Sequence, residues 1–410
     1  MPAAGERREL SPPIELTSTE GSVARSPAAA AEPRLRDGVG YAVRVFAAVW
    51  IGWALLGLLG VGLVPPGQPP VSVPGLAAAP LTPGWHNLVT AGNRGDALWY
   101  QRIATGGYRT DDPSAAFLPL YPLAIRLLAA LPGVGPLAAA TVLAQGSFLA
   151  ALVVLYALTT RELGPDVGRR ATRYLAVFPT AFFFLAPYTE SPFLLLSLLA
   201  FWYARRDRWS SAAVAGALAA LTRSVGVVLL PALLVEAFSQ WRASGQRLVP
   251  RLAAATAPLL GLAGYGVYWS VAKHDPLAPL TAQHNWQRQL SLPTTTLWQA
   301  TAYAWRYGSY WLIDLLVAGV VIVALVAVAR RLRASYLTYG LVSLLLPLSE
   351  PFPDRPLLSL PRFVAVIFPA FWGLAVVGGR RRLPEPLVVG VFAGGYALLG
   401  LLFTNYYAIF

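Results

Sequence analysis

Runs of 18 or more mostly apolar residues recur along this chain, and each such run is long enough to cross about 30 Å of hydrocarbon as a helix. Inside lipid every backbone N–H and C=O must find its partner within the protein, which leaves helices as the economical solution for runs of this kind. With shorter apolar segments counted beside these runs, hydropathy places spans at roughly 41–64, 137–160, 171–187, 190–204, 209–222, 224–237, 252–271, 310–329, 334–349, 361–378 and 384–403. The fold class that follows is an all-α polytopic membrane protein, a bundle of about eleven transmembrane helices. Only 12% of the residues are charged, so those that interrupt the apolar runs carry most of the remaining information.

The net charge of +13 would point to nucleic acid in a soluble domain. Here the arginines sit in short clusters between apolar runs: Arg161 with Arg169, Arg170 and Arg173; Arg205, Arg206 and Arg208; Arg242, Arg247 and Arg251; Arg330, Arg331 and Arg333; and Arg380 to Arg382. With eleven crossings all five clusters fall on one side, which the positive-inside rule makes the cytoplasm; nucleic-acid binding is excluded as the meaning of the charge. Residues 1–38, rich in Ala, Pro, Ser, Glu and Arg without periodicity, read as a disordered cytoplasmic tail rather than a signal peptide, and 39–410 as one transmembrane domain. The absence of cysteine removes disulfides, thiolate metal sites and a cysteine nucleophile, leaving carboxylates, hydroxyls, histidine or a bound cation for any chemistry.

Parity settles two ambiguous segments. If 115–131 crossed the membrane, the cluster after Thr160 would lie outside, so this part of the first outer loop (about 65–136) is expected to be re-entrant or interfacial. If 209–237 were a single crossing, the later clusters would be inverted, so the chain must turn back near Thr222, Arg223 and Ser224. Each arm of about fourteen residues reaches only about 21 Å, which would hold Arg223 beneath the outer surface, where a guanidinium needs an anion. Arg362 opens a span on the outer side, against the charge rule, and invites the same reading, with snorkelling as the plainer one for both.

The long polar interruption is NRGDALWYQRIATGGYRTDDPSAAFLPLYP, from Asn93 to Pro122. Asp96 opens a short helix stopped by Gly106 and Gly107; it is either a general base or an N-cap, a position Asp favours for its own reasons. Glu190, in the outer turn YTES, is a solvated turn carboxylate or a group held against a cavity. In KHDPLAPLTAQHNWQR the two histidines stand too far apart for a metal site, and Gln283, Trp286 and Arg288 read as an interfacial helix.

Three passages resemble the PIG-V-type mannosyltransferases of the GT-C glycosyltransferase superfamily: NRGDALWYQRIATGGY followed by AFLPLYP, FPTAFFFLAPYTESPFLLLSLLAFWYARRDRW, and AGALAALTRSVGVVLLP, in the right order over about half the chain. The later SLPRFVAVIFP is similar to bacterial members. The resemblance implies a GT-C-like bundle, a polyprenyl-phosphate-mannose donor and inverting transfer on the outer face. The acidic residue of the first outer loop, Asp96 here, is then the presumed catalytic group. Where the family usually has a bulky aromatic before this residue, the chain has Gly95.

With such a donor the leaving polyprenyl phosphate is already a stable anion, so the site needs a base for the acceptor hydroxyl and cations for the phosphate. Asp96 fits the first need and Arg223 with Arg362 the second; Glu190 would assist the base or orient sugar hydroxyls. Trp99, Tyr100, Arg102 and Tyr188 are the expected substrate contacts. No cofactor or metal is required, although a divalent cation is compatible with the scheme. The partners expected are the lipid-linked sugar donor, a lipid-linked or glycan acceptor and membrane lipids, in a multi-pass cell-membrane protein. A transporter or scramblase of lipid-linked saccharide would also carry buried charges, as would a GT-C enzyme using another sugar or a protein acceptor.

Overall fold

A computed structural model describes residues 35–282, 288–379 and 384–409. Most of the expected tail, Gln283 and Trp286 of the expected interfacial helix, and the cluster Arg380 to Arg382 lie outside these residues. The described chain begins with a 3-10 turn, Leu35–Gly38, that runs into the first long helix.

Among the described residues five helices are long and apolar enough to cross a membrane: Val39–Leu63, Pro136–Leu163, Ser224–Ser244, Ser309–Arg331 and Glu385–Thr404. A pair of helices, Leu248–Ala255 and Ala257–Lys273, reaches the same length and apolarity together but is bent by 41° at its break. Shorter apolar helices, Glu190–Ala204, Trp209–Ala220, Ala334–Leu348 and Phe368–Gly378, fill the places of four more expected spans. This is the all-helical polytopic architecture that the apolar runs require.

The helices depart from the expected spans in three places. The expected span 171–187 is not one helix. Pro165–Ala176 ends before Phe178 and Pro179, where the missing N–H and the steric demand of the ring break the ladder, and a 3-10 turn, Ala181–Phe184, follows. Of the two arms around Arg223 only the first is short: Trp209–Ala220 has 12 residues, whereas Ser224–Ser244 has 21. Arg288 is not helical; the helix in that region is Pro293–Tyr307, which leaves Trp298 and Trp305 exposed as interfacial rings would be.

The break at Pro179 feeds the core. Phe182, Phe183 and Phe184 are all buried, with Phe184 stacked on Phe148 at 4.9 Å and Phe182 stacked on Trp53 at 5.9 Å. A second aromatic cluster joins Phe201, Tyr336, Phe368 and Trp372. At the end of the helices away from Asp96, buried Glu236 accepts hydrogen bonds from Ser335 at 2.6 Å and Gln240 at 2.8 Å, and pairs with Arg333 at 3.2 Å and Arg205 at 3.3 Å. Its charge is thus compensated rather than left in the bundle.

Within the loop that follows the first long helix, the helix Leu120–Ala129 has ten residues, about 15 Å, too short to cross. Tyr265 OH fastens the preceding segment by donating to Ala115 O at 2.9 Å, and Tyr108 OH donates to Phe117 O at 2.8 Å. Phe117 then packs edge-on against Tyr100 and stacks on Trp99.

Candidate active site

Asp96 is the first residue of the helix Asp96–Gly106, and its side chain makes no capping bond; the N-cap is Gly95. Gly95 has φ +53° and ψ −124°, a conformation open to glycine and strained for side chains, and a Cβ there would stand 3.1 Å from Tyr188 OH. The loop before it is tied down by Arg94, whose buried guanidinium donates to Phe403 O, to Thr404 O at 2.8 Å and to Ala91 O at 3.0 Å. The carbonyls of Phe403 and Thr404 belong to the last turn of the helix Glu385–Thr404, so Arg94 caps that helix while its bond to Ala91 O fixes the backbone next to Asp96. Burial lowers the Arg94 guanidinium to about 10, still a cation at neutral pH.

With no capping duty, the Asp96 carboxylate points to Arg362, whose Nη2 lies 2.6 Å from Oδ2. Arg362 sits on the short helix Leu360–Val364, entered through Ser359 at φ +66°. The same guanidinium bonds through Nε to Glu190 Oε1, which also takes Nη1 of Arg223. Arg223 lies in extended backbone between the helix Trp209–Ala220 and the 3-10 turn Ser224–Val228. That turn is tight because Gly226 sits where a Cβ would be 2.4 Å from Ala220 Cα. The result is an alternating chain of charges: Asp96, Arg362, Glu190, Arg223.

These four groups differ in access. A cavity of about 340 Å³ is lined by Asp96, Tyr100, Arg223 and Arg362, together with Phe117, Ser359 and Phe363. Asp96 is 27% exposed, whereas Glu190 is fully buried and absent from the lining. Glu190 therefore holds two guanidiniums from behind, at the first turn of its own helix, where the dipole also favours an anion. Tyr100 OH shares a hydrogen bond of 3.1 Å with Thr189, linking the Asp96 helix to the Glu190 turn.

The other expected substrate contacts face elsewhere. Trp99 stacks on Phe117, Arg102 is paired with Asp112, and buried Tyr188 donates to Arg94 O at 2.7 Å while its ring lies 4.7 Å from the Arg362 guanidinium. Among the described residues no cluster of three or more His, Asp or Glu could hold a metal ion.

One charged lining residue was not singled out from sequence as a site group: Arg288. Its guanidinium donates to two backbone carbonyls, Glu350 O at 2.8 Å and Leu358 O at 3.2 Å. The signal available was the one noticed at Arg362, an arginine on the expected outer side, against the charge rule. Phe363 is the hinge of the arrangement, since its ring lies 5.7 Å from the Arg223 guanidinium, 5.5 Å from that of Arg288 and 6.0 Å from that of Arg362.

No protein-family model and no curated protein matches the chain. Solved structures do. ArnT from Cupriavidus metallidurans matches in the apo state at 14% identity, over 91% of this chain and 77% of that one, with a TM-score of 0.49. The same protein bound to undecaprenyl phosphate matches at 14% identity over 90% and 77%, with a TM-score of 0.51. An oligosaccharyltransferase from Archaeoglobus fulgidus, tethered to an acceptor peptide, matches at 11% identity over 90% of this chain and 55% of that one, with a TM-score of 0.48. What the chain shares with the undecaprenyl-phosphate-bound ArnT structure is its fold, a polytopic helical bundle.

Proposed function

We propose that this protein is a membrane glycosyltransferase that moves a mannosyl residue from polyprenyl-phosphate-mannose to a lipid-linked or glycan acceptor on the outer face of the cell membrane, with inversion at the anomeric carbon. The observation that carries this reading is a partly exposed carboxylate and two guanidiniums lining one cavity, with a buried glutamate holding both guanidiniums in place. The fold likeness to an ArnT structure bound to undecaprenyl phosphate supports a lipid-phosphate donor, and the resemblance of the Asp96 and Glu190 passages to PIG-V-type enzymes supports mannose.

In the proposed reaction the acceptor oxygen forms a bond to the anomeric carbon as the bond from that carbon to the phosphate oxygen breaks. Asp96 takes the proton of the acceptor hydroxyl. The bonding pair leaves on polyprenyl phosphate, whose developing charge faces Arg223 and Arg362. Such preorganised cations cost no reorganisation during the reaction, and a positioned base is worth about 10²–10⁴-fold. Glu190 acts by orienting the cations, and Arg362, bonded to both carboxylates, sets the distance between base and phosphate.

Incubation of the purified protein with radiolabelled polyprenyl-phosphate-mannose and membrane lipids tests the reading. Label should pass to an acceptor only with active protein. Movement of intact lipid-linked saccharide between leaflets without sugar transfer would replace the proposal with a scramblase.

A further inference from the structure

Resting on the glycosyltransferase reading, a question about charge remains. Arg223 is committed to Glu190, and Arg362 to Glu190 and Asp96. Arg288 lines the same cavity and, among the described residues, makes no ion pair. Glu350 bonds to it through its backbone carbonyl, and the Glu350 carboxylate, which lines adjoining spaces with it, attracts it without closing to an ion pair. A guanidinium packed against Phe363 with no carboxylate partner is the group best placed to receive an anion, because its other donors are unspent and binding there breaks no existing pair.

The surroundings say what kind of anion. From the main cavity a second space of about 150 Å³ continues past Arg288, Leu346, Pro347 and Val366. A third, of about 420 Å³, is lined by Ser224, Val227, Leu280, Arg288, Leu290, Leu346 and Glu350. Arg288 and Ser224 belong to all three. Beyond the cation the walls are mainly aliphatic, and Leu280 and Leu290 are 66% and 88% exposed, as residues awaiting an apolar partner would be. A free phosphate would use the cation and ignore this groove.

We infer that Arg288 is the primary phosphate-binding cation of the donor subsite. The groove past Leu280, Leu290 and Leu346 then takes the adjoining isoprenoid units. Arg223 and Arg362 act mainly on the charge that develops as the sugar leaves.

The test uses full-length protein in nanodiscs of neutral lipid and sugar-free polyprenyl phosphate as the probe, so that binding is read apart from transfer. Arg288→Gln should weaken binding by about 10- to 100-fold, and Arg288→Lys should recover part of the loss. Leu290→Gln, at an exposed position where folding is not at stake, should weaken it by about 3- to 10-fold. Inorganic phosphate should compete only weakly, and equally with the wild type and Leu290→Gln; uncharged polyprenol should bind the wild type and Arg288→Gln alike. Equal affinity of Arg288→Gln and wild type for polyprenyl phosphate overturns the inference while leaving the glycosyltransferase reading intact. Wild-type protein that binds no polyprenyl phosphate sinks both. Strong competition by inorganic phosphate would overturn the lipid assignment in favour of a free-anion site.

Discussion

Arg362 Nη2 stands 2.6 Å from Asp96 Oδ2 while the other side of the same guanidinium is bonded to Glu190. One cation therefore separates an accessible carboxylate from a buried one, and the two cannot serve the same purpose. An accessible carboxylate can reach a substrate proton; one buried behind two guanidiniums can only hold them.

Asp96→Asn should lower mannosyl transfer by about 10²-fold or more while leaving expression and monodispersity unchanged. Gly95 supplies the N-cap and the Asp96 side chain makes no capping bond, so the helix loses little. Near-normal transfer by this variant would remove Asp96 from the role of base.

Glu190→Gln should act on stability first. Removing the shared anion leaves Arg223 and Arg362, 13% and 11% exposed, with Asp96 as the sole carboxylate of the chain of charges, and breaking buried pairs of this sort costs about 3–5 kcal/mol. Thermal unfolding in detergent reads the loss. A variant as stable as wild type but inactive would return Glu190 to a direct chemical role.

For Arg223→Gln the expected result is a turnover with the lipid-phosphate donor lowered by about one to two decades, with a smaller loss of apparent donor affinity and partial rescue by Arg223→Lys. A donor titration decides it. An unchanged apparent affinity together with unchanged turnover would make Arg223 structural.

Gly95→Ala should destabilise the loop by about 1–3 kcal/mol, through the strained backbone and the Tyr188 hydroxyl 3.1 Å from the new Cβ. Turnover should fall with it, since Asp96 is the next residue. Unaltered stability and turnover would show that the loop relaxes freely around this position.

Orientation can be tested in a chain that has no cysteine. Single cysteines at Thr110 and Gln289 should react with an impermeant thiol reagent added to intact cells, and one at Ser210 should not; all three positions are exposed. Ser114, in the same loop as Thr110, is fully buried and would give a false negative. Outside labelling of Ser210 would invert the topology.

Much of the architecture was legible in the residues themselves. Apolar length determined the spans, because a helix must hide its backbone across the hydrocarbon; the turn at Arg223 followed from charge parity; and Asp96, Glu190, Arg223 and Arg362 stood out as charges in apolar company. These inferences use local sequence and a known solvent, so they need no knowledge of which helices touch.

Only the tertiary structure decided how the charges are shared. Glu190 meets Arg223 33 residues away and Arg362 172 residues away, and nothing in either segment encodes that meeting. Trp99 and Arg102 lie on the short helix Asp96–Gly106 and Tyr188 in the turn before Glu190, and whether each points into a cavity is set by the neighbours it packs against. The break at Pro179 and the position of Arg288 belong to the same class. Proline and an unexpected outer arginine marked both sites, but only the packed bundle turned one into an aromatic core and put the other, without a carboxylate partner, beside the charges around Asp96.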